Sequence, residues 1–409
     1  MQTETVATEA SSGKWHAIVA GAGIGGLMAA LALARAGLQV TVLERAPVVE
    51  ETGAGLQLSP NASGILREYG VLGRLSGSAL MPEALQIRNA RDGAQIMRMP
   101  LGVVAEMRWA APYLLVLRRD LQRALIEQVA LNPSITLETG ADVVGYAASS
   151  DGVEVAVQRG DEKLRLAGDI LIGADGLHSL VRDRIGLGLA DMPVYSGYIA
   201  WRALVEADDA PPEALRLETT LWLGPKAHLV HYPLRGGKVV NVVAITEDSW
   251  RGAEEQDFWA TTGNAADISA RAERWHDEAR ALVAAVREWR RWPLFDRHPV
   301  PRWTVPRVAL LGDAAHPMLP FLAQGAAQAI EDAHALGRAF STHAEIGSAL
   351  TAYEQSRVAR TAAVFVASRR QGRIYHLSTP AAKLRNFAMR ALGPAGMLAR
   401  YDWLYQYRP

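Results

Sequence analysis

The chain has 409 residues, with 43 Lys and Arg balancing 43 Asp and Glu, 10 His and no Cys. The balance excludes a general electrostatic pull toward nucleic acid or an anionic membrane, and the missing cysteine excludes disulfides, thiolate metal sites, Fe–S clusters and cysteine nucleophiles. An apolar fraction of 49% with 21% charged residues belongs to a folded globular chain, long enough for two or three structural units.

Residues 1–13 read as a disordered polar tail. The uncharged run 17–34 is close to the lower length limit of a membrane span, but Gly21, Gly23, Gly25 and Gly26 interrupt it and no second apolar span follows. Neither a membrane nor nucleic acid is therefore expected as a partner. Instead 15–20 predicts a buried strand, 21–26 a turn, 26–36 an Ala/Leu-rich helix ending at Gly37, and 38–44 a second strand. This is a βαβ unit. Gly53-Ala54-Gly55 opens a loop toward a helix over 61–69. Residues 85–90 and 95–99, separated by Arg91-Asp92-Gly93, predict a hairpin; 114–117 predicts a short strand and 119–131 a helix. Short alternating runs over 135–172 predict an antiparallel meander closed by a buried strand at 169–173. Longer β runs at 195–205, 219–223, 227–232 and 238–245, then an acidic, Trp-containing helical stretch, predict a second domain. Residues 307–311 return to the buried-strand type, followed by helix over 324–340 and much of 344–371.

The first motif is Gly21-x-Gly23-x-x-Gly26, with Ile24 and Gly25 inside it, between a strand and a helix. There, backbone N–H groups and the positive helix end meet a pyrophosphate. Glu44 ends the next strand eighteen residues later, placed to accept from an adenosine ribose hydroxyl. The pattern alone does not separate NAD from FAD. In the segment 173–179, Asp175 follows a buried strand and starts a helix, as a polar edge of the nucleotide cleft or as an ordinary helix cap. In the segment 312–325, Asp313 ends a strand, His316-Pro317 and Pro320 stiffen a loop, and Gln324-Gly325 opens a helix.

In this order the three segments resemble the single-component flavoprotein aromatic hydroxylases, the group of the salicylate and hydroxybenzoate hydroxylases, over nearly the whole chain after the tail. The resemblance implies an α/β fold: a Rossmann-like FAD-binding domain of parallel sheet plus β-meander, an inserted mixed-sheet substrate domain, and C-terminal helices. The FAD-binding domain would take 14–190 and 301–409, and the substrate domain 191–300. The implied activity is hydroxylation of a small aromatic acid or phenol by NADH or NADPH and O2, through a flavin C4a-hydroperoxide. By resemblance Gly21, Gly23 and Gly26 hold the FAD pyrophosphate, Glu44 the ribose, Asp175 the region shared by FAD and the nicotinamide donor, and Asp313 the ribityl chain. Arg45, Arg118 and Gln57 match positions on the cofactor side. The expected protein is cytoplasmic, a monomer or homodimer, with no metal. Reduced flavin carries negative charge at its N1/C2 carbonyl edge, and backbone N–H groups of Gln324, Gly325 and Ala326 at a helix start would stabilise it.

On the substrate side, strand alternation puts His228, Val230 and Tyr232 on one face and His231 on the other. That face offers an imidazole and a phenol side by side, and the imidazole suits removal of a phenolic proton. The His-x-x-x-Tyr spacing resembles the hydroxybenzoate 6-hydroxylase and salicylate hydroxylase branches; the alternative is simple packing. One departure stands out: Pro320 occupies a position where the 3-hydroxybenzoate 6-hydroxylases carry Gln, which leaves salicylate-type acids and hydroxylated pyridine carboxylates open. Arg202 and Arg88 are the candidates to hold a substrate carboxylate. Rival functions are another flavin reaction, such as an oxidase or epoxidase, and a non-catalytic FAD-binding regulatory protein.

Overall fold

Residues 15–49, 54–186, 192–250 and 261–408 are described by a computed structural model; the tail, Gly53 and the acidic segment 251–260 lie outside them. β1 (His16–Ala20), α1 (Ile24–Arg35) and β2 (Gln39–Glu44) form the opening βαβ unit. α1 is uncharged until Arg35 because it is enclosed, packing on α9 (Gly325–Thr342). It stops where Gly37 takes φ +93°, a left-handed turn that returns the chain into β2. Next come β3 (Gly55–Leu58), α2 (Pro60–Glu68), α3 (Val71–Arg74), β4 (Ala84–Asn89), β5 (Gln95–Pro100), α4 (Gly102–Trp109), β6 (Leu114–Leu117) and α5 (Arg118–Ala130). They are followed by β7 (Ile135–Thr139), β8 (Asp142–Ala148), β9 (Val153–Arg159), β10 (Glu162–Gly168), β11 (Ile170–Gly173) and α6 (Leu180–Ile185). The middle of the chain supplies β12 (Val194–Glu206), β13 (Glu218–Gly224), β14 (Ala227–Leu234), β15 (Val239–Glu247), β16 (Thr261–Gly263), α7 (Ala265–Ala272), α8 (Asp277–Ala285) and β17 (Trp289–Asp296). β18 (Thr304–Val305) and β19 (Val308–Leu310) precede α9, and α10 (Ile346–Tyr375), α11 (Ala381–Ala399) and α12 (Asp402–Tyr405) close the chain.

A six-stranded sheet has the order β18-β19-β11-β1-β2-β7, parallel except for β18. β1 therefore lies between β2 and β11, and the crevice at its carboxyl end is the ligand position of an open parallel sheet. β7 corrects one expectation. The meander predicted over 135–172 loses its first run: β7 pairs parallel with β2 at the sheet edge, because α5 carries the chain across before it. The meander is β8–β9–β10 alone.

The second sheet has eight strands in the order β16-β17-β12-β15-β14-β13-β4-β5. The β4–β5 hairpin belongs to the 14–190 stretch, yet β4 pairs parallel with β13 in this sheet. Both faces are covered, which explains the nearly continuous apolar runs. One face buries Trp201, Trp222, Leu229 and Trp289 against Ile268 of α7 and Leu282 of α8. The other carries Ala200, Tyr232 and Ile245 and meets Leu319, Phe321 and helices α10 and α11. No helix among the described residues is long and apolar enough to cross a membrane, and no group of His, Asp or Glu side chains there could hold a metal ion.

Candidate functional site

The glycine turn at the end of β1 is fixed by close backbone approach. A Cβ on Gly26 would stand 1.9 Å from the Gly21 carbonyl oxygen, and one on Gly21, itself at φ +102°, 2.6 Å from the Ala174 oxygen. Gly25 packs its Cα side on Leu311 and Ala329, which seats the start of α1 against α9. In contrast, a Cβ on Gly23 or Gly325 would meet nothing within 4 Å. Both helix starts thus present bare, positively polarised backbone to open space, as a large anionic ligand requires. Glu44 closes the turn: its Oε2 accepts from Ala22 N–H at 2.8 Å and its Oε1 from Ala46 N–H at 2.9 Å. Each carboxylate oxygen keeps a second acceptor position for a ribose hydroxyl. Arg45 is exposed beside His178, whose imidazole pKa is lowered by burial and by Arg297 and Arg45.

Asp313 stands exposed just after β19, and its charge is felt by Arg118, whose pKa is lowered by burial against that attraction. Asp175 is occupied differently. Its Oδ1 accepts from the Ser179 hydroxyl at 2.5 Å and its Oδ2 from Val181 N–H at 3.1 Å, so both oxygens hold the start of α6. Its Cα nevertheless lies against the Gly21 turn. The side chain of Gln324 is also committed, donating to Ser59 Oγ at 2.8 Å and accepting from Asn61 at 3.1 Å. What remains at that helix start is the backbone of Gly325 and Ala326.

Behind this cradle lies a buried charge cluster that sequence reasoning missed. Arg357 Nε donates to Asp332 Oδ1 and its Nη1 to Glu331 Oε2, both at 2.7 Å, while its Nη2 reaches Gln328 Oε1 at 2.8 Å. Asp332 Oδ2 in turn accepts from His316 Nε2 at 2.5 Å and from Gly312 N–H at 3.0 Å. The cluster therefore grips the loop that carries Asp313. Its signal was available: Glu331-Asp332 is an acidic pair inside an Ala-rich helix.

The substrate-side residues fall on one face of β14, as alternation predicts, but they are not neighbours. Four residues of strand separate His228 from Tyr232, about 13 Å, and each meets different groups. Tyr232 lies against Gly55; burial pushes its hydroxyl pKa up, against the opposing effects of Arg202 and of the hydrogen bond with Gln57. Gln57 Oε1 accepts from Tyr113 at 2.6 Å, and Asn241 Oδ1 accepts from Gly55 N–H at 2.8 Å; Tyr113 and Asn241 carried no sequence signal. Arg202 joins this end. Its Nε is buried without a hydrogen-bond partner, its guanidinium lies over Trp292, and burial and the nearby Arg118 both lower its pKa. Two cations thus converge beside a neutral phenol. Arg88 is elsewhere: it pairs with Glu278 and lies over Trp222 at 4.3 Å, on the opposite face with His231. That removes it as a carboxylate anchor. At the other end His228 Nδ1 stands 2.8 Å from His376 Nε2, with its ring near Phe321 and Tyr375. A separate apolar groove of about 1010 Å³ lies between α10 and α11, lined by Val366, Leu384 and Met389 among others; it contains none of these groups.

The open glycine backbone and the exposed Asp313 fit FAD, and comparison with known proteins agrees. The profile of a family described as FAD binding domain matches residues 14–368. The chain is 36% identical to the 3-hydroxybenzoate 6-hydroxylase of Polaromonas naphthalenivorans over 389 residues, 95% of each chain. It is also 36% identical to a 3-amino-4-hydroxybenzoate 2-monooxygenase of Streptomyces platensis, over 98% of each. Klebsiella pneumoniae HpxO, solved with FAD and uric acid, superposes with a TM-score of 0.84 at 28% identity, covering 95% of this chain and 96% of that one. The chain belongs to the FAD-binding-domain family and is an FAD-dependent aromatic monooxygenase.

Proposed function

We propose that this monooxygenase hydroxylates a hydroxybenzoate-type ring, one bearing both a carboxylate and a phenolic hydroxyl. The observation that carries the reading is Arg202, a guanidinium with a buried, unpartnered Nε on the same sheet face as Tyr232 and His228. A chain without net charge needs such a local cation to hold an acid. The 3-hydroxybenzoate and 3-amino-4-hydroxybenzoate in the relatives' names both carry the two groups.

FAD, when bound, supplies the electron transfer from NAD(P)H and the activation of O2. The residues of this chain bind, orient and move protons. Gly21, Gly23, Gly26 and Glu44 hold the nucleotide end, Asp313 and Arg118 the middle, and the α9 start the ring's carbonyl edge. Arg202 holds the substrate carboxylate. Tyr232, kept neutral by burial, donates a hydrogen bond at the same end. His228 takes the ring hydroxyl's proton, which enriches the ring for oxygen transfer. Pro320 offers no side-chain donor, so His228 is the polar partner at that end. The body over 14–190 and 301–409 binds FAD, and 191–300 supplies most of the substrate sheet. The reading also carries a cytoplasmic location and action as a monomer or homodimer.

The test is NAD(P)H oxidation and product analysis over a panel of hydroxybenzoates, aminohydroxybenzoates, hydroxynicotinates and simple phenols. Arg202→Gln should raise KM for the carboxylate substrate by about 10- to 100-fold, the worth of a charge-assisted hydrogen bond. It should barely change KM for a matched phenol without the carboxylate. Equal losses on both would refute the assignment.

A further inference from the structure

His228 poses a problem for its own role. A base that keeps a proton inside a buried pocket stops after one turnover, and burial together with His376 holds the His228 pKa well below 6.5. The site penalises storing a proton far more than passing one on.

The neighbours of His228 supply the exit. His376, at the end of α10, is buried and brings its Nε2 to 2.8 Å from His228 Nδ1. On its far side His376 Nδ1 faces Glu247 Oε1 at 3.5 Å, and the Glu247 side chain is 39% exposed. At that distance the two atoms are in ion-pair contact without a hydrogen bond, so passage of a proton requires the Glu247 side chain to move closer by a rotamer change. The alignment is held from both strands. The β13–β14 turn donates Lys226 N–H to the His376 carbonyl at 3.2 Å and accepts Glu247 N–H at 2.8 Å. The His376 ring is also wedged edge-on against Tyr198 and Phe321. Imidazole, imidazole and carboxylate thus run in line from the sheet face to solvent.

We propose that His376 and Glu247 form a proton relay that carries the substrate's ring-hydroxyl proton from His228 to solvent. The inference rests on the reading of His228 given above. The phenolic O–H proton goes to His228 Nε2. The proton on His228 Nδ1 passes to His376 Nε2, and the one on His376 Nδ1 to Glu247. Each ring gains a proton on one nitrogen and loses one from the other, so no charge remains on the buried pair. Besides His228 and Glu247, the groups facing His376 are Tyr198 of β12 and Arg385 of α11, with Arg369 and Arg373 of α10 next to Tyr198. Burial, with a smaller contribution from Arg385, lowers the His376 pKa to about 4, which keeps it neutral and able to relay at neutral pH.

The experiment uses the FAD-loaded enzyme, a hydroxybenzoate that the wild type turns over, and a pH-indicator dye. Stopped-flow mixing without NAD(P)H follows proton release to the medium and phenolate absorbance on substrate binding. His376→Asn should slow both by about 10- to 100-fold near pH 7, with FAD affinity and flavin spectrum unchanged. The defect should shrink as pH approaches the phenol's own pKa of about 10, and added imidazole should restore part of the rate. Glu247→Gln, at a half-exposed site that does not endanger folding, should give a smaller slowing with the same pH trend. Wild-type release rates in both variants, or an equal loss at every pH without imidazole rescue, would overturn the relay. A wild type that hydroxylates no phenol in the panel fails earlier, and takes the parent reading down with the relay.

Discussion

Replacing Arg357 with Met removes one guanidinium from a site that is fully buried together with its partners Glu331 and Asp332. Breaking a buried pair from one side leaves charge without compensation, at a cost of about 3–5 kcal/mol. At roughly 2.1 cal/mol/K of unfolding entropy per residue, 409 residues give about 0.86 kcal/mol/K, so the apoprotein Tm should fall by about 3.5–6 °C. The pH dependence is sharper. Burial alone would raise the Asp332 pKa, but His316 and Arg357 outweigh it and hold it at about 2, below its ordinary 3.8. A depressed carboxylate contributes stability that is complete above 3.8 and lost as pH falls through about 2. The variant lacks part of that contribution, so its deficit should be largest at neutral pH and should narrow below about pH 4. Denaturant midpoints for both proteins between pH 7 and 3 measure this directly. Asp332 also holds Gly312 N–H and His316, so FAD affinity should drop by about 10-fold, on the order of one hydrogen bond. Arg357→Lys should not rescue, because a point charge cannot serve three acceptors in the plane of the fork. A deficit that is constant with pH, or no deficit at all, would refute the reasoning.

Two glycines 3 residues apart should fail in different ways. Gly26→Ala puts a methyl group at 1.9 Å from the Gly21 oxygen and should destabilise the apoprotein by several kcal/mol, since backbone has to shift. Gly23→Ala meets no protein atom, so the apoprotein Tm should stay within about 1 °C while FAD affinity, followed by flavin fluorescence, falls by 10-fold or more. For Arg88→Ala, thermal stability should decline with the loss of Glu278 and the Trp222 contact, yet substrate KM should remain within about 2-fold, because the side chain lies behind the sheet. A large KM change there would contradict the assignment of faces.

The parts legible in sequence were those whose cause is local. A turn that puts Gly21 at φ +102° and leaves no space for a Cβ at Gly26 writes its glycines at fixed spacing. Strand period 2 placed His228 and Tyr232 on one face, and the deep burial of β1 and α1 shows as an uncharged run. Long-range pairings left no such trace. β7 alternates much as β8 does, and only the preceding crossover decides that it joins β2. Gly55 finds Asn241, Arg88 finds Glu278 and His228 finds His376 across separations of 186, 190 and 148 residues, and no spacing rule reaches that far. For that reason the phenol and imidazole could be assigned a face but not their neighbours.

The place of β19 in the parallel sheet bears on how the protein is made. β19 fills the position beside β11, although it is synthesised about 290 residues after β1. At roughly 5–20 residues per second, the ribosome needs about 15–60 s to supply it. By then every strand of the substrate sheet has been translated, including the β4–β5 pair that comes from the first half. The nascent chain can therefore complete its substrate sheet while the flavin body still lacks β19 and the α9 start. During that interval β11, paired with β1 on one side, leaves its other edge unpaired, the kind of hydrophobic surface that chaperones cover. Any flavin-loading step must wait for the last quarter of the chain.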